Sequence, residues 1–331
     1  MSEQAYDHAM GQNFVRRVVT GIDQDGRHVI VSDAEAPNTF ASETVAVSEV
    51  LWSSGPDISI DDPIDRTSAG FPLEPPAGGL SARIIRMPGL APEADPEHSW
   101  LRVDGDDPDT PGLHATDTLD LMIVLDGSVV MGLDDGERVV TAGEVVIQRG
   151  TEHRWRPADE HGWTYFVTMF RPDARANGDI VGVRAATAGD RPVRRIVTGS
   201  PVVDGGATEA VSSPTTTMTD LWHTGGPLRS ADQGGDPDGP WSLVPPTGGA
   251  WFRLVELLPA PPIDAGWHVT PTVDIDVVLR GRVLLELPDG VHTELGPRDV
   301  VVQRGTDHRW TAIGEDPFAM ASVMIDAARR V

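Results

Sequence analysis

Two stretches of this chain carry histidine and aspartate in the same order and at nearly the same spacing. The six residues are His114, Asp120 and His153 in the first stretch and His268, Asp274 and His308 in the second. The chain has no cysteine and no lysine, which excludes thiolate ligands, iron–sulfur clusters and Schiff-base enzymes. Any bound metal must therefore be held by His, Asp or Glu, and these ligands suit iron, manganese, nickel or zinc.

The histidines and aspartates belong to an internal repeat. The matched blocks are VRRVVTG (15–21) and VRRIVTG (193–199), Leu51–Trp52 and Leu221–Trp222, Pro-Pro-x-Gly-Gly at 75–79 and 245–249, and QRGTEHRW (148–155) and QRGTDHRW (303–310). Four matched blocks in the same order predict two copies of one domain rather than a short solenoid repeat. We call these copies module one and module two.

The module boundary is predicted in a Gly-, Ala- and Asp-rich stretch at about 173–191. Module one then spans 1–175, with a β-barrel at about 80–172. Module two spans 190–331, with a β-barrel at about 250–328. The 331-residue chain is long enough for two domains with full cores.

Composition favours short strands, because the chain contains 35 glycines and 28 prolines. The predicted strands include Leu119–Leu125, Val129–Leu133, Val145–Gln148 and Trp163–Phe170, with counterparts at Val273–Leu279, Val283–Leu287, Val300–Gln303 and Phe318–Ile325. Many short strands at regular spacing predict an all-β sandwich or barrel in each module.

The net charge and the hydropathy of the chain limit the kinds of partner and the location that we expect. A formal net charge of −25 repels phosphate backbones, so nucleic-acid binding is not expected. The first twelve residues are polar, and no run of 18 apolar residues occurs. We therefore expect a cytoplasmic protein that does not cross a membrane.

The repeated pattern resembles the cupin superfamily. The first cupin motif reads H-x-H, three or four residues, E, six residues, G, and it is matched by His114, Thr116, Asp120 and Gly127. The second copy matches with His268, Thr270, Asp274 and Gly281. The second cupin motif ends in P-x-G-x-x-H, where this chain has Gln148 to His153 and Gln303 to His308.

The resemblance implies two tandem double-stranded, jelly-roll-like β-barrels with N-terminal extensions that cross to the neighbouring module. It also implies a metal ion inside each barrel, held by the two histidines and the aspartate of that module. Two imidazoles and one carboxylate are the ligand set of non-heme iron oxygenases, so Fe(II) is preferred, with Mn, Ni or Zn possible. Thr116 and Thr270 replace a ligand histidine of the family, which removes one ligand from each site.

Further side chains are expected to line the substrate pockets. They are Thr116, Gln148, Arg149 and Trp155 in module one and Thr270, Asp276, Gln303, Arg304 and Trp310 in module two. His153 and Trp155 are two residues apart on a predicted strand and should share a face. The arginines could bind a substrate carboxylate, and the tryptophans could equally belong to the core. Asp276 adds an acid where module one has Met122, and module one is the more family-like site.

The resemblance leads to two kinds of function. The first is a metal-dependent enzyme that acts on a small organic molecule, with an iron-dependent dioxygenase ahead of a non-oxidative lyase, isomerase or decarboxylase. The second is a module that binds a small ligand without catalysis. In either case the two barrels should pair within the chain, and a homodimer of chains is possible.

Overall fold

The computed structural model of the protein describes residues 15–55, 58–63, 66–103, 105–172, 193–207, 209–237, 239–259 and 266–327. The predicted linker at 173–191 lies outside the described residues. The elements are β1 (Arg16–Ile22), β2 (His28–Glu35), β3 (Asn38–Ala41), β4 (Ala46–Ser53), β5 (Leu80–Met87), β6 (Leu119–Leu133), β7 (Gly136–Thr141), β8 (Val145–Arg149), β9 (Arg154–Pro157), β10 (Trp163–Phe170), β11 (Val193–Val197), β12 (Val203–Ala207), β13 (Glu209–Ser212), β14 (Thr216–His223), β15 (Ala250–Leu257), β16 (Thr272–Arg280), β17 (Arg282–Glu286), β18 (His292–Leu295), β19 (Val300–Arg304), β20 (Arg309–Ile313) and β21 (Phe318–Asp326), with 3₁₀ turns at Pro96–His98 and Pro288–Gly290.

Each module is a sandwich of one large and one small sheet, which confirms the predicted all-β, jelly-roll-like class. In module two, the large sheet runs β13-β14-β15-β21-β16-β19-β1-β2 and the small sheet runs β18-β17-β20. In module one, the large sheet runs β12-β11-β8-β6-β10-β5-β4-β3, and β7 and β9 pair with the far half of β6. The inner faces of the two layers enclose the candidate sites.

The large sheets exchange strands between modules. Strand β1, near the start of the chain, pairs in parallel with β19 of module two, and β11 pairs in parallel with β8 of module one. Each VRR-x-VTG block therefore completes the sheet of the other module. The repeated sequence explains the symmetry of the exchange, since both blocks bury the same run of four residues, 17–20 in one and 195–198 in the other.

Strand β6 differs from the sequence prediction, which placed two strands at 119–125 and 129–133. The structure has one continuous strand of 15 residues, Leu119–Leu133. Gly127, with φ of 73°, lies where β6 passes from the large layer to the small one. A Cβ at Gly127 would sit 2.1 Å from the carbonyl oxygen of Gly162, so only glycine allows this close approach.

Alternation along the central strands decides which residues enter each sandwich. Leu121 and Ile123 of β6 point into a core that spans both modules and also holds Ile275 and Val277 of β16. Asp120 and Met122 point the other way, into the interior of module one, because successive strand residues face opposite sides. The same rule sends Asp274 and Asp276 into the interior of module two.

Candidate functional site

The two histidines of each module are brought together by a short antiparallel backbone bridge. His114 and His153 exchange N–H···O bonds of 3.0 and 2.9 Å, and His268 and His308 exchange bonds of 3.1 and 3.0 Å. Directly opposed residues place their side chains side by side. The ring centroids are 4.4 Å apart in module one and 4.2 Å apart in module two.

All four imidazoles make the same local hydrogen bond. In each case Nδ1 lies 2.8 to 3.0 Å from the backbone carbonyl oxygen two residues earlier in the chain. A carbonyl oxygen can only accept, so at His114 and His268 Nδ1 carries the proton and Nε2 keeps its lone pair. At His153 and His308 a glutamine amide nitrogen, which can only donate, also lies 2.9 Å from Nδ1, so these contacts do not fix the tautomer. Burial, followed by the neighbouring histidine's charge, lowers the pKa of His153 to about 3 and that of His308 to about 4.

The repeated glutamine of each module lies directly behind the second histidine. Gln148 and Gln303 each place Nε2 2.9 Å from Nδ1 of that histidine. In module two, Gln303 is also tied to the exchanged strand β1, because Thr20 donates its hydroxyl to Gln303 Oε1 at 2.9 Å. The glutamines were predicted to lie near the site, and each contacts the imidazole of the second histidine from behind.

The aspartates of the repeat are buried and incompletely bonded. Asp120 is 8% exposed and Asp274 is 5% exposed, and the Oδ1 atom of each has no hydrogen-bond partner among the described residues. Burial raises the pKa of Asp120 to about 7. Burial and the neighbouring Asp276 raise the pKa of Asp274 well above its usual range, and burial raises that of Asp276 to about 7.

The donor groups of the two sites only partly match the needs of a metal ion. In the described part of the chain, no three His, Asp or Glu side chains lie close enough together to hold one ion. The imidazoles converge in pairs, but the aspartate does not join either pair as a third ligand. Each module therefore brings together only two of its three predicted ligands. The pairs are His114 with His153 and His268 with His308, and Asp120 and Asp274 lie apart from them. As placed here, the residues do not fit a tightly bound metal.

A cavity opens beside the histidine pair of module two. It has a volume of about 290 Å³. Its polar wall contains His268, Thr270, Asp274, Asp276 and His308, and Trp310 lies beside them. Methionine, valine and leucine side chains form the opposite wall. An apolar cavity with a few converging polar groups is the usual form of a small-molecule site.

Comparison with known proteins agrees with this architecture. Residues 98–179 match the family model described as the AraC-like ligand binding domain. The cupin-domain-containing oxidoreductase srdD of Neurospora crassa is 29% identical over 150 residues, which cover 44% of this chain and 68% of that protein. The chain is therefore similar to a cupin-domain protein.

Other relatives match shorter parts of the chain. The phomopsin biosynthesis cluster protein C' of Diaporthe leptostromiformis is 37% identical over 73 residues, or 21% of this chain. The match spans 39% of the length of that relative. Among solved structures, the oxalate decarboxylase of Lactobacillus farciminis in complex with formate aligns over 88% of this chain and 84% of its own, with 11% identity and a TM-score of 0.44. No helix in the described ranges is long and apolar enough to cross a membrane.

The tryptophans and threonines of the predicted pockets lie next to the histidines. Trp155 and Trp310 meet His153 and His308 edge to face, at centroid distances of 5.8 and 5.9 Å. Trp310 lines the cavity of module two. Thr270 donates to Asp274 at 3.3 Å, whereas Thr116 accepts from Thr118 at 2.9 Å. Thr270 and Trp310 thus line the module two cavity, and Trp155 lies beside the histidine pair of module one.

Arg149 and Arg304 lie elsewhere. They follow the glutamines on β8 and β19, so alternation turns them toward the other module. Arg149 donates to the carbonyl oxygens of Thr198 and Asp232, and Arg304 donates to that of Asp62. Neither contact involves the module two cavity. The predicted pairing of these arginines with a substrate carboxylate has no support in these contacts, which join the two modules.

A buried ion pair near the cavity was not anticipated from the sequence. Arg253 pairs with Asp220, and the equivalent Arg83 of module one pairs with Glu49 at 3.3 Å. Both arginines follow the Pro-Pro-x-Gly-Gly block at the same distance, which is the signal that could have revealed them. Their acidic partners escaped notice because each precedes a β-bulge in its strand.

Proposed function

We propose that this chain is a bicupin enzyme that transfers protons within a small organic molecule bound in the cavity of module two. The observation that carries the proposal is that two imidazoles and two carboxyl groups line one cavity. Proton transfer by positioned side chains needs one group that can accept a proton beside another that can donate one.

The chain's own residues supply both partners. His308 is an uncharged imidazole at neutral pH, because burial lowers its pKa to about 4, so one of its ring nitrogens can accept a proton. Asp274 is a buried carboxyl group that receives a hydrogen bond from Thr270. A neutral base and a protonated acid in one dry cavity favour isomerisation, dehydration or decarboxylation, which were alternatives at the sequence level.

Deuterium exchange tests the proposal whatever the product of the reaction is. The full chain is incubated in D₂O with a panel of small organic acids, ketones and amines, and deuterium in carbon-bound positions is followed by mass spectrometry. We expect exchange that falls about 10²- to 10⁴-fold in Asp274→Asn and His308→Gln.

Module one provides matched control variants. Asp120→Asn and His153→Gln change the equivalent residues outside the module two cavity, and they should keep the exchange rate within about twofold. Equal losses from both pairs of variants would place the activity outside module two. Exchange that survives in Asp274→Asn and His308→Gln would refute the assignment.

A second candidate is an oxidoreductase, which is favoured by the description of the Neurospora crassa relative. Since Asp and His side chains carry no redox chemistry, this activity requires a redox group such as the expected Fe(II), and to bind such a metal the aspartate would have to move toward the histidine pair. Elemental analysis after loading with iron, manganese, nickel or zinc tests it. A stoichiometric metal lost in His308→Gln would support this candidate, and an empty protein that still exchanges deuterium would exclude it.

A further inference from the structure

The polar wall of the module two cavity consists mainly of hydrogen-bond acceptors. Asp274 Oδ1 is buried without a partner among the described residues, and Asp276 lies two residues further along the same face of β16. His268 presents an Nε2 atom with a lone pair, since its Nδ1 proton is engaged by a backbone carbonyl. A ligand that fits this wall must therefore bring hydrogen-bond donors.

The nearest cation does not supply those donors. Arg253 borders the cavity, but its Nε bonds to Asp220 and its terminal nitrogens donate to the carbonyl oxygens of Leu243 and Ser242 at 2.9 and 2.8 Å. Its guanidinium also lies 4.0 Å from the ring centroid of Trp251. These contacts hold the arginine in the wall, so the side chains described around the cavity offer its two carboxyl groups no directly bonded cation.

The remaining walls suit the organic part of a cation. Met218, Met320 and Met324 line the cavity together with Trp310. Polarizable thioether and aromatic side chains adapt to the shape of a hydrocarbon group and interact favourably with a neighbouring positive charge.

Module one lacks the second acid. Met122 occupies the position of Asp276 and packs in the hydrophobic interior of that module. One face of β6 thus carries a single aspartate where β16 carries two. The two modules therefore differ in the acidic side chain that would contact the positive charge of a ligand.

We propose that the module two cavity selects a small organic amine, whose ammonium group donates hydrogen bonds to the Asp276 carboxylate and to the acceptor oxygen that Asp274 keeps when it is protonated, and whose apolar body lies against the methionines. This inference rests on the proposed function, because it names the substrate class of the same cavity. Asp276 is the residue that determines the specificity. The volume of about 290 Å³ corresponds to about ten water molecules, which is the size of an amine with about nine or ten non-hydrogen atoms.

Calorimetric titration with three probes of one shape tests the proposal. The probes are 2-phenylethylamine, its neutral analogue 2-phenylethanol and the anion 3-phenylpropionate, each added to the full chain in the presence of a chelator. We expect the amine to bind about tenfold or more tightly than the alcohol, and the anion to bind most weakly.

Two variants locate the effect. Asp276→Met, which copies module one, should weaken amine binding about tenfold or more and leave binding of the alcohol unchanged or stronger. Asp120→Asn alters the buried carboxyl of module one and should leave both affinities unchanged. Thermal melting of each variant shows whether the fold is kept, and Asp276→Asn serves as the second variant if Asp276→Met does not fold.

Several results would overturn the inference. The first is that the anion or the alcohol binds at least as tightly as the amine, and the second is that amine binding survives in both Asp276 variants. The third is that the amine binds only after a metal has been loaded. The fourth is that no amine with a chain of one to nine carbons binds. The proposed function can fail separately. Amine binding without deuterium exchange would refute proton transfer alone, and exchange confined to neutral substrates would refute only the amine specificity.

Discussion

Asp120→Asn should change how the stability of the protein depends on pH. The folded-state pKa of Asp120 is raised from 3.8 to about 7, chiefly by burial. A carboxyl group raised in this way contributes stability that is present at low pH and is lost as the pH rises through the folded-state pKa. Above pH 7, wild-type protein must either bury a charge or lose part of its folding free energy, whereas an asparagine at this position has no proton to lose.

The size of the effect follows from the shift. A rise of about three pKa units corresponds to about 4 kcal/mol, developed between about pH 4 and pH 7. His153 has the opposite dependence, because its pKa is lowered to about 3, so its stability contribution grows as the pH rises to about 6.5. The informative quantity is therefore the difference between wild type and variant, in which the histidine's contribution cancels.

Urea unfolding followed by tryptophan fluorescence at pH 4.5 and pH 7.5 measures this difference. Relative to wild type, Asp120→Asn should become more stable by about 3 kcal/mol between the two pH values, whatever its constant offset. Asp126→Asn removes an exposed carboxylate from the same strand and should show the same offset at both pH values. If Asp120→Asn also gives a constant offset, Asp120 is not the buried, protonated group described above.

Three further substitutions test the packing around the sites by urea unfolding. Thr20→Val removes the hydroxyl through which β1 holds the end of β19, and it should destabilise the protein by about 1–3 kcal/mol; no loss would show that the exchanged strand is not coupled to the site. Gly127→Ala should cost at least about 3 kcal/mol because its Cβ meets backbone, whereas Gly136→Ala, with open space, should cost about 1 kcal/mol. Arg253→Met leaves Asp220 buried and unpaired, at about 3–5 kcal/mol, and the double variant with Asp220→Leu should recover most of that loss.

The sequence predicted the fold well where local patterns set it. The β-rich run Leu119–Leu125 identified the central strand, and the QRGT blocks located both second histidines. The repeat also aligned the two modules. The break expected between 125 and 129 was wrong, because inter-strand hydrogen bonds continue through a glycine that can take a positive φ.

Aligning the two modules by residue identity gives the wrong strand register at a β-bulge. Leu51–Trp52 matches Leu221–Trp222 in sequence, but in the sheets Leu51 pairs with Ala82 and Trp222 pairs with the equivalent Phe252. One extra residue in a strand changes which side chains face the interior, and nothing in the composition marks it.

The candidate site was only partly accessible to prediction. Which histidines meet was clear from the repeat, because the motifs recur at both ends of one antiparallel bridge. How far the aspartate lies from the histidine pair depends on strand register and packing, which spacing alone does not determine. Whether Arg253 can bind a ligand also depends on a non-local partner, Asp220, which lies 33 residues away in the chain.

The exchange of β1 and β11 gives the molecule the character of a heterodimer encoded as a single polypeptide. A nick between Phe170 and Val193 would leave each half still holding a strand of the other. Dissociation would require both sheets to lose an inner strand at once. Expressed as separate polypeptides, the halves would each present an unpaired edge at β8 or β19, and they should be recovered folded only when produced together.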